Sequence, residues 1–584
     1  MSKSTAQASS PSGLNWKAMI QYGLICGIAI IYVCLVGMAE AFNDRDVIQK
    51  TLTLGLALLV GISVWMGYFA ARKLSAGNRL NSIIIGLLVG LISSALTILF
   101  ILLIENTNIR EMFVNASPKL VKMLLFSQKS QPTGMLMLTG LLTGFSLLGA
   151  IIYALPATVR RMVVVGLSAV LLVGMLQEFL TRIRLVDLTS KFLFGREGLT
   201  VTGAIIVFVF FAGINALWTS QSGKIGQSIT GLAPMQRRVF NWVALVVGLA
   251  VLIILPNETD PFITQILFLV GLYILMGLGL NIDVGFAGLL DLGFVGFFAI
   301  GAYTTALLTT PTDIGLGATL FGAMDPDQIF WPAIPISVCV AAFFGVFLGI
   351  PVLRMRGDYL AIVTLGFAEI IRILVLSDFL RPILGGAQGI LRIPKPELFF
   401  VQIKDPIHFY YLTLAGCMLV AFIAWRLQQA RIGRNWMAMR EDEDVAEMMG
   451  INLIATKLLA FGIGAAFAGF SGSIFAAQVG SVFPHSFGLI VSINVLALII
   501  IGGVGSIPGV IIGSLVLVGL PELLREFAEF RLLIYGMLLV VMMLVKPEGF
   551  WPSEVRRREL HGSEGEVPNP APEKSWEVSE TASA

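Results

Sequence analysis

The chain has 584 residues, 57% hydrophobic and 13% charged, where an ordinary soluble domain is about 45–50% apolar and about 25% charged. Its 39 basic and 36 acidic residues nearly cancel, leaving a formal charge of +3. This composition excludes a soluble enzyme, a disordered chain and a nucleic-acid binder, and it indicates an all-α, polytopic integral membrane protein.

Residues 1–15 are polar and Ser-rich. The apolar run after Lys17 exceeds the roughly 7–15 residues of a signal-peptide core. Although Ala39-Glu40-Ala41 resembles a cleavage site, the run is therefore expected to stay as a first span. Lipid offers no partner to an unsatisfied backbone group, so each crossing needs a helix of about 20 apolar residues. Such runs lie near 18–40, 52–71, 80–104, 134–157, 161–181 and 199–218, and a polar linker follows at 219–237. Others lie near 238–255, 263–281, 286–308, 332–350, 358–378, 409–427, 455–478, 487–503, 508–524 and 531–546. The pattern predicts about 16 transmembrane helices. They divide into an N-terminal membrane extension over 1–237 and a core over 238–550, with a polar, disordered tail at 551–584.

Lys and Arg favour the cytoplasmic side of short loops. With the N-terminus inside, Arg72-Lys73, Arg160-Arg161, Arg354, Arg356 and Arg556-Arg557-Arg558 all fall inside, while the loops at 256–262, 309–331 and 479–486 carry no Lys or Arg. Both termini are expected in the cytoplasm, although loops 105–133, 182–198 and 380–408 run against the trend. Cys26, Cys34, Cys339 and Cys417 sit singly in apolar runs and read as buried packing residues. His408, His485 and His561 are scattered, and no phosphate-binding G-x-x-x-x-G-K-[ST] loop occurs, so no metal, cofactor or nucleotide site of its own is expected.

Three segments carry candidate function. Gly277, Gly279, Gly285, Gly288, Gly293, Gly296 and Gly301 crowd a stretch that also holds Asp283 and Asp291. Glycines suit close helix packing, and the two carboxylates tip the stretch towards an irregular, cavity-lining segment. Next, Asp358 stands at a predicted helix start, where free N–H groups favour a carboxylate. Glu369 and Arg372 follow, three apart, and can pair on one helix face; ionisable groups at membrane depth either fix packing or line an aqueous path. Finally, 431–452 combines a dense charge cluster with Ala446 and Gly450, four apart. Val445, Met448 and Met449 can share a face there, as a short amphipathic helix that docks on a partner or as a solvated loop.

At these residues the sequence resembles a known family. Leu278-Gly-Leu-Asn-Ile-Asp-Val-Gly-Phe-Ala-Gly-Leu-Leu-Asp-Leu-Gly, Arg356-Gly-Asp-Tyr-Leu-Ala-Ile-Val-Thr-Leu-Gly-Phe-Ala-Glu-Ile-Ile-Arg-Ile, Gly385-Gly-Ala-Gln-Gly-Ile390, Ile393-Pro-Lys-Pro396, Gly433-Arg-Asn-Trp, Ile501-Gly-Gly-Val-Gly-Ser506 and Lys546-Pro-Glu-Gly549 occur in order. Together they are similar to the larger inner-membrane permease of branched-chain amino-acid ABC importers. The resemblance implies a ten-helix ABC importer permease core and no enzyme activity of the chain itself. It makes 431–450 the loop that couples to ATP-binding subunits, through Gly433, Arg434, Arg440, Glu441, Asp442, Ala446 and Gly450. Asp283, Gly285, Gly288, Asp291, Asp358, Glu369 and Arg372 become candidates for the translocation path or for helix packing. Implied partners are two cytoplasmic ATP-binding subunits, a second permease, an extracytoplasmic solute-binding protein, the bacterial inner-membrane lipid and an amino-acid substrate. Two features depart from the family: Leu384 replaces a threonine of the outer loop, and residues 1–237, with about six spans, are much longer than the N-terminal part the resemblance leads one to expect. Alternatives are a permease of the same type for urea or short amides, and an ion-coupled secondary transporter using Asp283, Asp291 or Glu369.

Overall fold

The computed structural model describes residues 15–552 apart from 50, 76–77, 108, 129, 183–191, 196–197, 231–233, 312–319, 321, 323–324, 353–354, 356, 399–400 and 526–529. The tail expected over 551–584 lies, beyond Pro552, outside the described residues, as do Arg354 and Arg356. Regular structure is overwhelmingly helical, because a helix satisfies every interior backbone group within its own segment. Twelve helices among the described residues are long and apolar enough to cross a membrane. Four shorter apolar helices, Val246–Asn257, Phe294–Thr309, Ile507–Leu523 and Arg531–Val545, account for the remaining apolar runs.

The chain divides into two compact units, Met1–Asp260 and Pro261–Ala584. The helix Pro234–Ile254, expected from the apolar pattern at the start of the core, groups with the first unit. In that unit Trp16–Val36, Leu54–Leu74, Arg79–Asn106 and Gln131–Ala154 pack around Met19, Cys26, Ile30, Leu59, Val89 and Leu142. Two helices cross at a reciprocal pair of glycines. Gly67 lies on the Ser146 carbonyl and Gly149 on the Val64 carbonyl, so a methyl group at either would collide with backbone. Membrane helices lack a hydrophobic drive to associate and gain contact by such close approach. Ser146 Oγ, buried at the crossing, donates to Gly86 O at 2.8 Å. Asn115 Nδ2 donates to the Leu35 and Val36 carbonyls (3.1 and 3.0 Å), satisfying groups that the end of the first helix leaves free.

The second unit is centred on Leu453–Val479, which packs against Pro326–Val352, Phe294–Thr309 and Pro261–Leu280. The same device recurs here: Gly301 lies on the Gly469 backbone and Gly472 on the Phe298 carbonyl. Thr305 and Ser337 hydroxyls join at 2.8 Å between helices. At the end of Leu453–Val479 remote from residue 453, Ile390–Leu391 pairs antiparallel with Ser481–Val482. Lys395 follows on that side; its ammonium donates to the Ala477 and Gln478 carbonyls and lies 4.9 Å from the Phe409 ring centre. Burial pulls its pKa below the ordinary lysine value.

The span predicted over 286–308 becomes regular only at Phe294. Pro261–Leu280 runs into a π-helical segment, Asn281–Phe286, and residues 287–293 are irregular before Phe294–Thr309 begins. Gly288, with φ of +73°, takes a backbone turn that L-residues avoid.

Candidate functional site

The segment after Pro406–Gln429 forms two helices rather than one, Arg431–Glu441 and Glu443–Met448. Asp442 makes the joint. Its Oδ1 accepts from the Asp444 and Val445 amides at 2.9 and 3.0 Å, capping the second helix. Gly450 (φ +87°) ends that helix, and the Ile451 amide turns back to Ala446 O at 3.1 Å. The first helix is anchored by Trp436, fully buried, whose Nε1 donates to Thr456 O at 2.9 Å. The second is anchored by Glu443, paired at 2.9 Å with Lys457, whose side chain is only 4% exposed.

With Gly433, Trp436, Met439 and Ala446 turned inwards, the opposite side is left open. Val445 is 50% exposed, Met448 79% and Met449 78%. These three form the apolar face expected from the sequence. Arg434, Glu441, Asp442 and Gly450 are also exposed, and Arg434 Nη1 reaches Gln429 O at 3.0 Å.

Arg440 points the other way. Its Nη1 donates to Gly285 O at 2.8 Å, inside the π-helical segment. A methyl group on Gly288 would come within 2.7 Å of Arg440 Cγ, so the guanidinium stem fills space that only glycine leaves. Asn281 Oδ1 accepts from the Gly505 amide at 2.9 Å, tying this segment to the 503–505 turn. That turn is held in place by residues 550–551: the Phe550 and Trp551 amides donate to the Ile501 and Gly502 carbonyls, each at 2.9 Å. Four stretches far apart in sequence thus meet at one end of the unit.

Asp283 and Asp291 are fully buried beside this junction. Asp291 Oδ1 accepts from the Gly293 amide (2.7 Å), Thr364 Oγ1 from Leu292 N and Ser492 Oγ from Val295 N (both 3.0 Å). These side chains satisfy amides that open the Phe294–Thr309 helix. Asp283 differs: neither carboxylate oxygen has a hydrogen-bond partner among the described residues, and the carboxylate occupies the place a side chain on Gly464 would take. The stretch is irregular, as expected. Gly285 is buried with it, and Gly288 is exposed.

The remaining candidates lie elsewhere. Asp358 opens the Asp358–Leu376 helix and is exposed. Arg372 pairs with Glu369; its Nε lies 3.1 and 3.0 Å from the two carboxylate oxygens, and its Nη2 also donates. The pair does not face the interior of the unit, since its side chains are 33% and 44% exposed. Helical spacing made the pairing legible but not its direction. Of the cysteines, Cys26 and Cys34 are buried as expected and Cys417 is half-buried, whereas Cys339 is exposed.

The family described as branched-chain amino acid transport system / permease component matches residues 262–545, inside the second unit. The high-affinity branched-chain amino acid transport system permease protein LivM of Escherichia coli (strain K12) is 42% identical over 304 residues, 48% of this chain and 68% of that protein. The chain belongs to this permease family. LivM of Salmonella typhimurium (strain LT2) is 40% identical over the same length, and LivH of that strain 29% identical over 187 residues, 30% of this chain and 60% of that protein. No solved structure matches the chain. A family permease is a multi-pass membrane subunit of a transport system and not an enzyme.

Residues that anchor this junction are only partly legible in the sequence. Lys457 is a lone charge inside an apolar run, a signal that asks for a partner, and Glu443 supplies it from 14 positions earlier. Trp436 and Asn281 stand inside the motifs that carry the resemblance, but the contacts they make, with Thr456 and Gly505, are not readable from the sequence.

Proposed function

We propose that this chain forms, with a second permease, the translocation path of an ATP-driven importer for branched-chain and similarly apolar amino acids in the bacterial inner membrane. Two cytoplasmic ATP-binding subunits supply the drive, and an extracytoplasmic binding protein delivers the solute. Residues 261–552 are the permease core; the helices before them are an appended membrane module. The 431–450 segment lies on the cytoplasmic side, with both termini, in keeping with the basic short turns.

The observation that carries this reading is the two-faced 431–450 segment. Its outer face, Val445, Met448 and Met449, is apolar and exposed, the form of a surface that seats in a groove of a partner. Its inner face is fixed to the base of Leu453–Val479 by Trp436 and by the Glu443–Lys457 pair. Arg440 then links it to the interrupted helix at Gly285. A push on the outer face therefore reaches two membrane helices through short, stiff connections. The glycine-lined break around 281–293 is where the second of them can yield, between states that differ by a few kcal/mol.

The test is uptake of labelled leucine into vesicles holding the assembled transporter. ATP and the loaded binding protein should both be required, and deletion of Ala446–Gly450 should abolish uptake while the chain stays in the membrane. Uptake by this chain alone on an ion gradient, or preferential uptake of urea, sinks the proposal.

A further inference from the structure

Opposite the coupling segment, the second unit holds a cavity separate from the 281–293 junction. It has a volume of about 340 Å³. Its walls come from the first turns of Pro261–Leu280, the last turn of Leu453–Val479, and Glu522 and Arg525 at the end of Ile507–Leu523. Leu453–Val479 has 27 residues, so at 1.5 Å per residue this end is about 40 Å from the coupling segment. The cavity thus faces the other side of the membrane.

The lining has an unusual division. Phe262, Phe268, Leu269 and Phe475 give an apolar wall. Glu522 and Arg525, three apart, bring one negative and one positive charge to the same space. They are not spent on each other. Among the described residues the Glu522 carboxylate has no hydrogen-bond or ion-pair partner, and the Arg525 guanidinium lies over the Phe262 ring, 5.7 Å from its centre. A π-helical turn, Leu515–Gly519, immediately precedes them, a distortion that is frequent at functional sites. Small-molecule pockets combine apolar walls with a few placed polar groups, and this volume is at the small end of their range of about 300–1,000 Å³.

We propose that this cavity receives a free amino acid as its zwitterion: the α-carboxylate on Arg525, the α-ammonium on Glu522, and an apolar side chain against Leu269 and Phe475. A molecule carrying both charges on one carbon can meet the Arg525 guanidinium and the Glu522 carboxylate at once, whereas an anion or a cation alone meets only one of them. The proposal rests on the importer reading above and adds to it an entry subsite on the chain itself, separate from the binding protein.

The experiment uses the complete transporter in nanodiscs of phosphatidylcholine and phosphatidylglycerol, without binding protein, and measures saturable binding of tritiated leucine. Leucine should compete; leucinamide, which lacks the carboxylate, and 4-methylpentanoate, which lacks the ammonium, should compete about tenfold less well or worse. Arg525→Gln should weaken leucine and erase the preference over leucinamide; Glu522→Gln should erase the preference over 4-methylpentanoate. Arg525→Lys and Glu522→Asp, which keep the charges, should retain binding, and elution of each variant as the intact complex checks its folding. Absence of saturable binding in a preparation that still performs ATP-driven uptake overturns the cavity proposal and leaves the importer reading standing. Equal competition by all three compounds overturns it too, as does displacement of leucine by added phosphatidylethanolamine, which would make a lipid head group the occupant. Loss of ATP-driven uptake by the unaltered complex points to failure of the importer reading instead.

Discussion

Arg440 donates a 2.8 Å hydrogen bond to the carbonyl of Gly285, 155 positions earlier in the chain. Through that bond a charged side chain of an amphipathic surface helix holds the backbone of an interrupted membrane helix. Arg440→Ala should therefore separate two activities. ATP hydrolysis by the assembled complex should persist, while uptake per ATP falls about tenfold or more, the worth of one charge-assisted hydrogen bond. Parallel assays of phosphate release and labelled leucine in the same vesicles decide it. Equal loss of both would place Arg440 in assembly instead.

Met448 and Met449 should behave in the opposite way. Both are largely exposed, so Met448→Glu with Met449→Glu should alter the stability of the isolated chain by no more than about 0.5 kcal/mol. Capture of the ATP-binding subunits on a column should nevertheless be lost, because a charged face cannot seat in an apolar groove. Undiminished capture refutes the assignment of this face.

Lys457 and Glu443 should show strong coupling. Lys457→Met takes away the nearly enclosed ammonium that meets Glu443 at 2.9 Å and should destabilise by about 1.5–3 kcal/mol, the worth of a hydrogen bond between charged groups. Lys457→Met combined with Glu443→Gln should recover most of that loss, seen as a return of the unfolding temperature. Additive losses in the double variant would contradict a specific pair.

Gly464→Ala is a sharper steric probe. The new methyl group would enter the space of the Asp283 carboxylate, an overpacking that costs about 1–3 kcal/mol. Adding Asp283→Ala removes the obstacle, and the two changes together should be less harmful than their sum. A thermal-shift comparison of the four proteins measures this directly.

Much of the architecture was legible because lipid imposes a simple rule on helix length, and apolar runs obey it. The interruption at 281–293 was legible as well, since glycines alternate there with two carboxylates. What the sequence did not disclose was direction. Glu369 and Arg372 pair as spacing suggests, but their outward orientation depends on which face of Asp358–Leu376 packs against the rest of the unit. In the same way, Cys339 reads as a core residue yet lies exposed. The two-helix form of 431–450 hinged on Asp442, whose capping role cannot be separated by composition from that of its acidic neighbours. The convergence of 281–288, Arg440, 501–505 and 546–551 is a tertiary fact, visible in sequence only as motifs that share no spacing.

The outward Glu369–Arg372 pair has a consequence for assembly. Because the two charges quench one another within a single turn, that flank makes no electrostatic demand on whatever abuts it. A neighbouring subunit or acyl chain is then selected there by contour alone, and it can slide past during a transport cycle with no ionic bond to break.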